Sequence, residues 1–176
     1  YFNKAQIVDK EGQARPLVAK EEKIVVTGKT PADFVSRGIT PMQSASLLLI
    51  LVAGISIYGI RRGKTLWGID LILFLVAGMA GCILAFLALF SQHPAVSPNY
   101  ILFVFHPFHL FCLPFMLSRV RKREISRYML VDFVVLTLFI GLWTIIPQRI
   151  PPAVLPLALC LLIRSASNLI LTYKRK

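Results

Sequence analysis

Asp70, Asp132 and Arg164 are the charged side chains that stand inside the long apolar runs of this sequence. A charge at mid-bilayer costs roughly 2.5–3.5 kcal/mol on the most lenient scale, so each should have a partner or face water. Arg164 precedes Tyr173 by nine residues, about 13 Å along a helix, and its long side chain can reach toward that end. Two chemistries are open to it: a structural ion pair with Asp132 or Asp70, or the capture of a lipid phosphate.

A second set of polar residues comprises His93, Asn99, His106 and His109. Asn99 and His106 are seven residues apart and share a helix face, with His109 one turn deeper. Three histidines invite a metal, but no carboxylate or cysteine stands nearby on the outer side, and Pro107 disturbs the helix between His106 and His109. No metal and no other cofactor is therefore assigned. His93 and Asn99 either hold a loop in shape by bonding backbone groups, or line a lipid-facing site together with His106. Ser165, Ser167 and Asn168 suit hydrogen bonds between helices; no histidine or carboxylate is spaced to make either serine a nucleophile. Cys82, Cys112 and Cys160 lie in apolar runs without metal or redox spacing and read as buried thiols.

These residues must be positioned by membrane helices. The chain is 56% hydrophobic and 16% charged, with mean hydropathy +0.70, which is the balance of an integral membrane protein. Five apolar runs, Pro41–Ile60, Leu66–Phe90, Tyr100–Leu117, Tyr128–Ile146 and Ala153–Tyr173, each approach the ~20 residues that span a bilayer as a helix. The expected fold is an all-α, five-helix transmembrane bundle over residues 41–176. In the third run, Pro107 and Pro114 sit among five phenylalanines, a pattern that serves either packing or a groove for an acyl chain. The ridge Ala77-x-x-x-Gly81-x-x-x-Ala85 lets another helix come close.

The net charge of +12 is distributed as topology rather than as a nucleic-acid surface. Eleven Lys and Arg residues lie in the 61–64 loop, the 119–127 loop and the C-terminal end, whereas the 91–99 loop has none. The positive-inside rule then puts the C-terminus and both basic loops in the cytoplasm and residues 1–40 outside. Aromatic or Gly-rich sequence interleaved with the basic residues, as nucleic-acid binding would want, is lacking, so no nucleic-acid partner is assigned. Residues 1–29 differ in kind: Ala5–Val8 and Pro16–Val18 read as a hairpin and Ile24–Thr27 as another strand. Isolated strands are marginal in water, so they read as the closing strands of a larger exported domain, joined by the linker 30–40 to the helices.

Trp67-Gly-Ile-Asp70, Gly78-x-x-Gly81, Phe90-Ser-x-His93-Pro94, Asn99 and His106-Pro107, in that order and spacing, resemble the membrane part of Lnb-like proteins. One departure is Tyr100-Ile101, which stands in place of a second Asn-rich step. The resemblance implies a Bacteroidota inner-membrane protein whose exported, cysteine-peptidase-like domain precedes a helical bundle, with its N-terminal part periplasmic. Its founding members are lipoprotein N-acyltransferases, so the expected partners are phospholipid, a diacylated lipoprotein and the periplasmic domain itself. The family's catalytic cysteine and histidine belong to that domain, and no residue here matches them. His93, Asn99, His106 and Arg164 would then be the lipid- or substrate-facing positions, with Asp70, Asp132 and Arg164 the structural polar set. Two other readings stay open: a passive anchor or signalling partner of an exported domain, and a small transporter, although five spans divide into no matching halves.

Overall fold

In the computed structural model, residues 6–8, 14–16, 38–90 and 99–174 are described. His93 and its loop, the Ile24–Thr27 stretch and most of the 30–40 linker lie outside those residues. The chain divides into two units, Tyr1–Gly38 and Ile39–Lys176. In the first, β1 (Gln6–Val8) and β2 (Ala14–Pro16) pair antiparallel, with Ile7 opposite Arg15 and Val8 opposite Ala14. The hairpin expected there is present, but its second strand sits two residues earlier than the Pro16–Val18 expectation.

The second unit is all-helical: α1 (Pro41–Arg62), α2 (Trp67–Phe90), a 3-10 turn (Tyr100–Phe103), α3 (Phe108–Phe111), α4 (Leu113–Lys122), α5 (Arg127–Gly141) and α6 (Val154–Tyr173). Thr40 starts α1 with a reciprocal capping box, accepting from Gln43 N–H while the Gln43 side chain accepts from Thr40 N–H. Ser126 caps α5 through Met129 N–H.

Three helices, α1, α2 and α6, are long and apolar enough to cross a membrane; counting the bent segment Tyr100–Lys122 as one span makes four. The third apolar run is therefore not one straight helix. It turns by 78° between Tyr100–Phe111 and α4, because Pro107 and Pro114 supply no N–H to a continuous ladder. Room for that bend comes from α2. A Cβ on Gly81 would stand 2.5 Å from the His106 carbonyl carbon, and one on Gly78 2.5 Å from Leu110 N. The bare backbone of α2 at these two positions admits the backbone of the broken segment. The fourth run also departs from expectation: α5 stops at Gly141 after 15 residues, about 22 Å of helix. Single turns such as Trp143 N–H to Ile140 O and Ile145 N–H to Leu142 O carry the chain on toward Pro147.

Burial identifies the centre. Over half (56%) of the apolar stretch of α6 is buried, against 22% for α1 and α2. The stripe Ala45, Val52, Ser56 and Gly59 of α1 is buried, and α1 and α5 both pack on α6 while α2 packs on α3 and α4. The rest of α1 and α2 exposes Ile50, Ile72, Phe86 and Leu89. Helices apolar all round whose apolar side chains face outward suit hydrocarbon, not water.

Candidate functional site

Arg164 and Ser165, adjacent on α6, face two separate buried polar clusters. In the first, the Arg164 guanidinium donates from Nε to Asp70 Oδ1 at 2.6 Å, from Nη2 to Asp70 Oδ2 at 3.1 Å and from Nη1 to Ser56 Oγ at 3.0 Å. Asn168 Nδ2 adds a bond to Asp70 Oδ2 at 3.0 Å. Both charged side chains are 0% exposed. Planar fork-to-carboxylate geometry makes this the strong kind of ion pair, and it clamps α1, α2 and α6 at one level. Of the two partners left open by the sequence, Asp70 holds the guanidinium. Arg164 has no face toward lipid, which removes the geometric basis for a phosphate site at this position.

Asp132, the other candidate partner, belongs to the second cluster. Ser165 Oγ donates to Asp132 Oδ2 at 2.5 Å, and Asp132 Oδ1 lies 3.9 Å from His109 Nδ1. His109 is fully buried, and its Nε2 is 2.8 Å from the Val104 carbonyl. A carbonyl only accepts, so Nε2 carries the proton and the lone pair is on Nδ1. Tyr128 O–H donates to that lone pair at 2.6 Å. The His106 ring stacks on His109 with centroids 3.9 Å apart and planes 15° apart. The edge of Phe74 closes the cluster against His109 and Tyr128.

The expectation that no carboxylate stands near His106 and His109 is thus corrected. Asp132 is 23 residues from His109 and arrives on α5, a neighbour that sequence spacing cannot identify. Pro107 does not separate the histidines either. It begins the turn, where a missing N–H costs nothing, and His109 N–H bonds the His106 carbonyl. Tyr128, in the first turn of α5, turns its hydroxyl inward onto His109.

At the opposite end of the unit, Asn99 Oδ1 accepts from Ile101 N–H at 3.1 Å and caps the 3-10 turn. Gln148 Oε1 accepts from Tyr100 N–H at 2.7 Å, and Gln148 Nε2 reaches Asn99 Oδ1 at 3.5 Å. Asn99 therefore bonds backbone, and Gln148, absent from the sequence-derived candidates, completes the tie. Beside it, an apolar cleft of about 350 Å³ runs between the 3-10 turn and α5, lined by Tyr100, Phe103, Val135, Leu138, Leu142 and Ile146 among others. A second, of about 480 Å³, lies on the far side of the same turn between α2 and α6 and includes Ile101 and Phe105.

The basic end is tied differently. Arg123, the C-cap of α4 with φ 54°, donates to the Gly63 carbonyl, and the Arg121 guanidinium sits 4.9 Å above the Trp67 ring. These contacts bring two of the basic loops to one end, as the charge pattern requires. A cavity of about 670 Å³ between α4 and α5 opens there, lined by Ser118, Arg119, Ser126, Arg127 and Tyr128 among others.

No curated protein and no solved structure matches the chain. The model of the family described as the Lnb transmembrane domain matches residues 33–176, the whole helical unit. Together with apolar helices of spanning length, a bent segment seated on the glycines of α2 and an internal ion pair on α6, this match makes the protein a membrane protein that belongs to the Lnb transmembrane domain family.

Proposed function

We propose that the helical unit is the membrane part of a lipoprotein-acylating protein of the bacterial inner membrane. It anchors an exported, cysteine-dependent domain and presents phospholipid and a diacylated lipoprotein to it. The hairpin β1–β2 belongs to that exported domain in this reading. The chain crosses five times, with 100–122 and 127–146 as the third and fourth passes, residues 1–40 periplasmic and the C-terminus cytoplasmic.

The observation that carries the reading is the apolar cleft beside the Asn99–Tyr100–Gln148 tie. Its walls are hydrocarbon throughout, which suits an acyl chain, and the polar Asn99–Gln148 tie adjoins it at Tyr100, where a headgroup would stand. Acyl transfer proceeds when a thiolate attacks the ester carbonyl of a phospholipid and the lysophospholipid leaves. The lipoprotein's amino group then attacks the resulting thioester and frees the thiol. Holding both substrates against a tethered reaction centre makes each step effectively intramolecular.

Leu138 is exposed and lines the cleft. Leu138→Trp in the full protein should fill the cleft and lower N-acylation of a diacylated lipoprotein by about tenfold, equal to 1.4 kcal/mol, with unchanged protein level. Acylation is read by mass spectrometry of the lipoprotein's N-terminal peptide. Unchanged acylation would leave only the passive anchor. Orientation is tested separately: a cysteine introduced by Ala95→Cys should react with a membrane-impermeant thiol reagent in intact cells, and labelling only after lysis would reverse the topology.

A further inference from the structure

The His106–His109–Asp132 cluster is the one group of metal-ligating side chains brought together among the described residues, and the acyl-transfer reading makes no use of it. One nitrogen or oxygen from each of the three lies within 4.8 Å of the others. Ligands of a tetrahedral ion at roughly 2.0–2.2 Å stand about 3.4 Å apart, so contraction by up to about 1.4 Å closes the set. His109 Nδ1 and Asp132 Oδ1, at 3.9 Å, are closer still.

Three further observations point to a cation rather than to packing. First, His106 Nδ1 and Asp132 Oδ1 are both buried without a hydrogen-bond partner among the described residues. Asp132 itself is only 2% exposed. Buried polar atoms are normally satisfied, and two open ones on residues of one cluster ask what fills it. Second, the outer bonds are those of metal ligands. Histidine ligands donate their other ring N–H to a backbone carbonyl, and ligating carboxylates are themselves hydrogen-bonded. His109 Nε2–H bonds Val104 O, and Asp132 Oδ2 accepts from Ser165. Third, Arg164 is committed to Asp70, so no guanidinium stands beside the buried Asp132 carboxyl, and a bound cation would be the charge that lets it ionise in an apolar interior.

We propose that His106, His109 and Asp132 bind one divalent transition ion of the zinc class, which pins the broken third segment to α5. The Tyr128 hydroxyl, 2.6 Å from His109 Nδ1, is placed to become the fourth donor once it yields that lone pair. Tyr128 is also one of the residues lining the cavity at the basic end, the side from which an ion would enter. Imidazole and carboxylate donors in this ratio favour zinc, iron(II) or cobalt(II) over the oxygen-only set that magnesium or calcium needs.

The test uses the full chain purified in detergent micelles. Metal analysis after growth with zinc should give one ion per chain. After chelator stripping, Co2+ should restore stoichiometric binding with the visible absorption of a low-coordinate site. His106→Gln removes a side chain whose Nδ1 makes no hydrogen bond, so it should fold; it should weaken Co2+ binding more than tenfold. Ser165→Ala, which removes the outer bond to Asp132 and a long contact to Met129 Sδ, should weaken it by about 10–100-fold. Folding of each variant is read from helical circular dichroism. A folded wild-type chain that holds no stoichiometric zinc and shows no Co2+ spectrum overturns the proposal and leaves a bridging water in the cluster. So does Co2+ binding that is the same in wild type and in folded His106→Gln.

Discussion

Asp70→Ala should destabilise the helical unit by roughly 3–5 kcal/mol, the cost of stranding one member of a buried pair. Arg164 would keep its charge with only Ser56 as partner, in a site that is 0% exposed. Asn168 would lose its bond to Asp70 as well. The measurement is equilibrium unfolding in mixed micelles, followed by helical signal, with folded yield as a second readout. Arg164→Met alone should cost a similar amount, because it leaves the Asp70 carboxylate with Asn168 only. The double variant Asp70→Leu with Arg164→Met should recover most of the loss, since an apolar pair replaces a buried ion pair with little penalty. If both single variants unfold like wild type, the clamp across α1, α2 and α6 is not what holds these helices together.

Gly81→Ala should cost up to about 3 kcal/mol, the upper range for overpacking. The added Cβ would meet His106 backbone atoms at 2.5, 2.7 and 2.8 Å. Backbone atoms cannot swing aside as the end of a flexible side chain does, so α2 and the broken segment must part. Gly78→Ala meets Leu110 backbone N at the same 2.5 Å and should behave alike. Gly54→Ala and Gly68→Ala, where nothing stands within 4 Å, are the controls; alanine should be neutral or mildly stabilising there, through helix propensity. Unfolding in micelles separates the two pairs. Parting the segments also moves His106 and His109 relative to Asp132, so Gly81→Ala should lower Co2+ affinity as well as stability.

Hydropathy along the chain was sufficient to locate α1, α2 and α6, because a helix that faces hydrocarbon needs an unbroken apolar run. It was also sufficient for the charge distribution between the ends. For the third and fourth runs it was not. Apart from His106 and His109, Tyr100–Leu117 is apolar, so nothing in hydropathy distinguishes a straight span from a 3-10 turn, a bend and two short helices. Pro107 and Pro114 marked the positions of interruption. The angle followed from what the glycines of α2 allow, and that depends on which helix lies alongside.

Candidate residues divided the same way. That Asp70, Asp132 and Arg164 needed partners followed from the price of charge in an apolar run. That Arg164 takes Asp70 and leaves Asp132 to Ser165 and His109 did not. Both carboxylates lie about a turn from the same end of their helices, and only the packing of α6 between α1 and α5 separates them. Tyr128 and Gln148 carried no signal of their own: an aromatic near a helix end and a polar residue beside Pro147 are common in membrane proteins.

By itself, then, the amino-acid order determined that this is a helical membrane protein of the Lnb type, where its basic end lies, and which buried charges demand compensation. Those are properties of single runs and of transfer between water and hydrocarbon. The tertiary structure alone decided who compensates whom. It also decided that two histidines and a distant aspartate share one centre, since contacts between helices depend on side-chain shape across an interface that no single run contains.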